Sequence, residues 1–79
     1  MKAYTLIGVD GNAFAIMGYT ARAMRNAKFT REEIDQMHKE ATSGDYYNLI
    51  AVCDRYIDAV NERLGLDEYD EEDEYDEDF

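Results

Sequence analysis

Apolar side chains recur along this chain in two periods. Ala3-Tyr4-Thr5-Leu6-Ile7 is a short run rich in β-branched and aromatic residues, which predicts a strand over 3–7. A lone strand leaves its ladder groups unpaired, and the body of the chain shows no evident second one. Gly8-Val9-Asp10-Gly11-Asn12 is turn chemistry, with Asp10 or Asn12 available as a helix N-cap. From Ala13 the period becomes helical. Phe14, Met17, Ala21, Met24 and Lys28 follow a 3-4-3-4 spacing, with Ile16 beside them, which predicts a helix over about 13–28. Gly18 weakens that helix by about 1 kcal/mol relative to Ala and predicts the close approach of another element.

The second helix, 31–42, has a capping box at Thr30-Arg31-Glu32-Glu33 and a hydrophobic staple from Phe29 to Ile34. Its stripe runs through Met37 to Ala41, and Gly44 is expected to stop it. Asp45 caps a third helix, 46–64, whose apolar face comprises Tyr46, Leu49, Ile50, Cys53, Tyr56, Ile57, Val60 and Leu64. Gly65 suits its C-terminal closure. The fold class is therefore mostly α. A helical domain over 1–65 has a short N-terminal β-strand, and a tail follows over 66–79.

The tail changes the picture through its charge. The chain has 79 residues, with eight Lys and Arg against nineteen Asp and Glu. All eight cations precede residue 65, where nine acids nearly balance them, and the other ten acids lie between Asp67 and Asp78. The five-residue sequence Asp-Glu-Tyr-Asp-Glu occurs at 67 and again at 73. So many like charges cannot pack together, and the tail is expected to be disordered when free.

Asp10-Gly11-Asn12-Ala13-Phe14 opening a helix, followed by Ile16-Met17-Gly18, resembles a class of short proteins encoded by bacteriophages and prophages. Thr42-Ser43-Gly44-Asp45-Tyr46 before a last amphipathic helix extends the resemblance over roughly residues 10–60. It implies a viral or mobile-element origin, a compact helical fold and a bacterial cytoplasmic location. It carries no catalytic residue across. Members of that class close with a second short strand after the last helix, where this chain has acids.

The chemistry on offer is that of binding. Carboxylates interleaved with aromatic rings can imitate a nucleic-acid strand in a basic groove. This makes Asp67, Glu68, Tyr69, Asp70, Glu71, Glu72, Asp73, Glu74, Tyr75 and Asp76 the candidate partner-binding residues. The tail lacks the glycine of a calcium-binding loop. An alternative is an oligomeric binder of a signalling nucleotide, with amides at Gly11 and Asn12 and charge from Arg22 and Arg25. A third reading is an accessory or assembly protein. Direct nucleic-acid binding is not expected, because Asp45, Asp54 and Asp58 accompany Arg55 on the third helix. Cys53 lies in an apolar stripe and His38 borders one; two such residues fall short of a structural zinc site.

No catalytic group, cofactor or metal is therefore expected, and a single cysteine forms no internal disulfide. No run approaches the ~20 apolar residues of a membrane span. Chains of this size bury only ~60% of their unfolded surface. Phe14, Met17, Met24, Leu49, Ile50, Tyr56, Ile57 and Val60 exceed what three short helices readily cover, and with the unpaired strand they predict self-association. The leading expectation is an inhibitor, of the anti-defence or anti-CRISPR kind, of a host protein with a basic nucleic-acid-binding cleft.

Overall fold

Each helix begins where a side-chain oxygen can accept the amides that have no carbonyl partner. In the computed structural model, which describes residues 3–66, Asn12 opens α1 (Ala13–Asn26), its Oδ1 accepting from the amides of Phe14 and Ala15. Asp10, the other candidate, instead accepts from the Asn12 amide at 3.0 Å and shapes the turn before the cap. Thr30 opens α2 (Arg31–Ala41) with the full capping box: the Glu33 amide donates to Thr30 Oγ1, and the Thr30 amide to Glu33 Oε1. Asp45 opens α3 (Tyr46–Leu64), accepting from the Asn48 amide at 2.9 Å.

The closures depart further from expectation. α1 stops at Asn26 rather than near 28, because Lys28 adopts φ +67. Its amide donates to Arg25 O, and the Phe29 amide reaches back to Met24 O, both at 3.0 Å. This paired closure usually has glycine at the left-handed position, and a lysine there carries strain. α3 closes the same way with Gly65 at φ +71, the Leu66 amide donating to Asn61 O at 2.8 Å. α2 ends at Ala41 without a left-handed glycine. Its last carbonyls accept from the Thr42 and Ser43 hydroxyls and from the Asn48 amide group. Gly44 serves proximity instead: a Cβ there would meet Asn48 Cβ and Cγ at 3.0 Å. Gly18, expected to admit a neighbour, faces open space.

α3 packs against both other helices, and α1 leans on α3 more than on α2. That preference turns α1 about its axis. Burial centres on Ile16, Met17, Thr20, Ala21, Ala23, Met24 and Ala27, whereas Phe14 and Lys28 of the expected stripe are exposed. Ile34, Met37 and Ala41 come in from α2, and Leu49, Val52, Cys53, Ile57 and Val60 from α3. Thr20 is fully buried, and its hydroxyl donates to Ile16 O at 2.9 Å.

Residues 3–7 form no strand; no strand occurs among the described residues. Tyr4 and Leu6 pack on the core while Thr5 and Ile7 face outward, a strand's alternation without its ladder. The pairing comes from a side chain. Asn61 Oδ1 accepts from the Tyr4 amide at 2.7 Å, and Asn61 Nδ2 donates to Tyr4 O at 2.9 Å. One carboxamide thus does for Tyr4 what a neighbouring strand's peptide would do. The Thr5 amide donates to the Tyr19 hydroxyl, and a reverse turn over 6–9, with Gly8 at φ +88, leads toward α1.

Of the eight surplus apolar side chains, seven are buried or half-buried, and Phe14 alone is exposed. The acidic tail, apart from Leu66, lies outside the described residues. No helix among them is long and apolar enough to cross a membrane.

Two substitutions test this account. Asn61→Ala leaves both polar groups of Tyr4 without their partner and is expected to cost about 1–3 kcal/mol, with faster hydrogen exchange at the Tyr4 amide. Lys28→Gly relieves the left-handed strain and should stabilise by about 1 kcal/mol, a rise in melting temperature of roughly 4–8 °C. Urea unfolding of each variant measures both. An unchanged Asn61→Ala, or a less stable Lys28→Gly, contradicts the assignment.

Candidate functional site

The N-termini of α1 and α3 lie at one end of the bundle, beside Ala41 at the end of α2. The two motifs noted in the sequence meet there. The Tyr46 hydroxyl, from Thr42-Ser43-Gly44-Asp45-Tyr46, donates to Gly11 O of Asp10-Gly11-Asn12-Ala13-Phe14. The junction surrounds a shallow apolar depression of about 370 Å³, lined by Phe14, Met17, Ala41, Tyr46 and Leu49 among others. Phe14 is 81% exposed and Tyr47 82%, and the Tyr47 ring stands edge-on to Tyr46 with centroids 6.5 Å apart. Capped turns thus hold two large rings out in solvent. Large exposed rings at one place characterise contact surfaces more than monomer surfaces.

The opposite end combines an aromatic ring with charges of both signs, Arg25, Lys28, Arg31 and Arg63 beside Glu32, Glu33, Asp35 and Glu62. Phe29 bridges the two helix ends, packs on the core, and carries the Arg63 guanidinium over its ring at 3.8 Å. Arg25, Phe29, Arg31, Ile34, Asp35 and His38 line a cavity of about 520 Å³ between α1 and α2. Three of these cationic positions were legible as a three-residue spacing, Arg25, Lys28 and Arg31. Arg63 joins them only through tertiary packing. On the outer side of α3, a polar cleft of about 320 Å³ runs along Asp54, Asp58 and Glu62 beneath Tyr4 and Thr5.

The alternative ligand set does not converge within one chain. Gly11 and Asn12 sit at the start of α1, and the Asn12 oxygen is already committed to its cap. Arg22 and Arg25 lie ten and thirteen residues beyond Asn12 on the same helix, about 15–20 Å along its axis. The tail residues Asp67, Glu68, Tyr69, Asp70, Glu71, Glu72, Asp73, Glu74, Tyr75 and Asp76 lie outside the described residues. Among those described, no group of three His, Cys, Asp or Glu side chains is placed to hold a metal ion.

Cys53 and His38 are separated by their environments. Cys53 is fully buried on α3, and burial pushes its thiol above the ordinary value, partly offset by the Thr20 hydroxyl. A thiol held protonated is a poor nucleophile at neutral pH. His38 is half-buried at the rim of the cationic cavity.

A polar knot joins α2 to α3. Glu40 accepts from Gln36, from Arg55 at 2.7 Å and from the Tyr56 hydroxyl at 3.1 Å. The Gln36 hydrogen bond is the largest influence on the Glu40 carboxyl and, with the Tyr56 and Arg55 contacts, lowers it below its ordinary value against the opposing effect of burial. Burial first, and the Glu40 carboxylate second, raises the Tyr56 phenol. The two signs give opposite windows. The Glu40 contribution is present above the unfolded carboxyl pKa and is lost as pH falls through the lowered folded value. That of Tyr56 is present below the unfolded phenol pKa and is lost as pH rises through the raised folded value. Glu40→Gln should therefore bring the Tyr56 phenol down toward its ordinary value, read by carbon NMR titration of its ring. An unmoved Tyr56 titration refutes the coupling.

No protein-family model, characterised protein or solved structure matches this chain.

Proposed function

We propose that this chain is a small binding protein of phage or prophage origin that occupies and inhibits a host protein with a basic nucleic-acid-binding cleft. The observation that carries an interaction role is the aromatic end. Phe14 and Tyr47 are more than four-fifths exposed, yet they stand on turns closed by the Asn12 and Asp45 caps and by the Tyr46–Gly11 hydrogen bond. A rigid ring costs little conformational entropy on binding and contributes a large contact area.

The acidic segment supports the choice of partner. Ten acids in twelve positions after a nearly neutral body present the charge density of a nucleic-acid strand. Tyr69, Tyr75 and Phe79 supply rings at intervals along it. A cationic groove is the complementary surface, and its attraction for the segment weakens with salt through screening. In this reading the folded body presents and orients contacts and performs no chemistry.

The test uses the full chain as bait in bacterial lysate, identifies bound proteins by mass spectrometry and measures affinity by calorimetry. Replacing Asp70, Glu71, Glu72, Asp73 and Glu74 by Asn and Gln should weaken binding by several kcal/mol and flatten its salt dependence. Phe14→Ser with Tyr47→Ser should cost about 2 kcal/mol or more, with helicity unchanged. A partner bound as tightly by both variants as by the parent chain at about 150 mM salt refutes the proposal.

A further inference from the structure

Among the described residues Ile7 is the most exposed large apolar side chain, at 87%. It stands in a turn between two anchored points. On one side, α1 and α3 both hold Tyr4. Asn61 pairs with its amide and carbonyl, Asn26 Nδ2 donates to its hydroxyl at 2.9 Å, and its ring stands edge-on to Tyr19 with centroids 6.0 Å apart. The Tyr19 hydroxyl also accepts from the Thr5 amide at 2.9 Å. On the other side, Gly11 O accepts from the Tyr46 hydroxyl and Asn12 caps α1, both without help from residues 3–6. Two features bend the chain between these points: a backbone hydrogen bond from the Val9 amide to Leu6 O at 3.1 Å, and the left-handed Gly8 at φ +88. Residues 3–6 are therefore an arm, and 7–9 its hinge.

We propose that the groove of α1 and α3 that holds Tyr4 is a docking site for the arm of a second copy, delivered when hinge 7–9 straightens. The side chains that clamp Tyr4 and Thr5 belong to α1 and α3, so an identical chain presents the same clamp in trans. The exchange is reciprocal: each copy gives its arm and receives the other's, which closes a twofold assembly. It forfeits the turn hydrogen bond between Leu6 and Val9. It gains cover for Ile7, since the two straightened hinges lie side by side at the twofold axis. Within one chain a short tether gives the arm an effective concentration in the millimolar range, so the closed monomer prevails at lower concentrations and the exchanged dimer forms near that range. Gly8 sets the balance. Its positive φ belongs to the closed turn, whereas a straightened hinge is ordinary extended backbone. Nothing lies within 4 Å of the place a Cβ on Gly8 would take, so a side chain there acts through the backbone alone.

Gly8→Val tests the exchange in the otherwise intact chain. A β-branched residue is disfavoured at positive φ by roughly tenfold and is at ease in extended backbone. With two hinges per dimer, the dissociation constant should fall about a hundredfold, from about 1 mM to about 10 μM, read by sedimentation equilibrium. Isotope-enriched and unenriched Gly8→Val chains, refolded together from urea, should show filtered NMR contacts between the Tyr4 ring of one chain and the Tyr19 ring of the other. A helical Gly8→Val chain that stays monomeric at about 100 μM overturns the proposal. So does a dimer without those interchain contacts, or one that survives Tyr4→Ala combined with Asn61→Ala. If Gly8→Val fails to fold, the parent chain decides. Refolded as the same mixture at about 2 mM, it should show the interchain Tyr4–Tyr19 contacts, and their absence overturns the exchange.

Discussion

The apolar face of α3 is the surface on which everything else is assembled. Nineteen residues of helix span about 28 Å, enough for α1 and α2 to lie side by side along it. Leu49, Val52, Cys53, Ile57 and Val60 form that wall. Small residues complete the core around it, Ala21 and Ala23 from α1, Ala27 at the α1 C-cap and Ala41 from α2. A core of fourteen apolar side chains is thin. Its border therefore depends on polar groups being satisfied locally, since an unpaired buried amide would cost a large part of the net stability.

Side chains meet that demand at nearly every edge. Asn61 replaces a missing strand for Tyr4, Asn48 and two hydroxyls close α2, and Glu40 ties α2 to α3 through Arg55 and Tyr56. Asn61 has a double part, because its backbone carbonyl also accepts the amide that turns the chain out of α3. The N-terminal segment and the start of the acidic segment thus share one residue as anchor. Tyr4, Thr5, Asn61 and Leu66 accordingly line one cleft.

The scaffold sets two regions apart. The helix starts place exposed rings at one end, and the helix closures place cations around Phe29 at the other. In the sequence ten carboxylates follow Leu66, which itself lines the cleft of Asp54, Asp58 and Glu62. In the proposed reading, the exposed rings and the acidic segment are two contacts that can be altered independently.

Three helices were legible in the sequence, with Thr30 and Asp45 as caps and Asn12 as one of two candidates, because capping and helical periodicity are local: these side chains act on amides two or three residues away. The charge boundary near residue 65 is a matter of composition and was equally plain. What the tertiary structure decided depends on partners remote in sequence. Phe14 fits a helical stripe but is exposed, because α1 buries the side that carries Ile16, Met17, Thr20, Ala21, Ala23 and Met24. Residues 3–7 have the composition of a strand but pair with a side chain 57 positions away, since one carboxamide offers the same donor and acceptor as a peptide. Arg63 is an ordinary exposed helix residue until packing brings Phe29 beneath it. Local chemistry determined the elements, and long-range packing determined which of their faces met water.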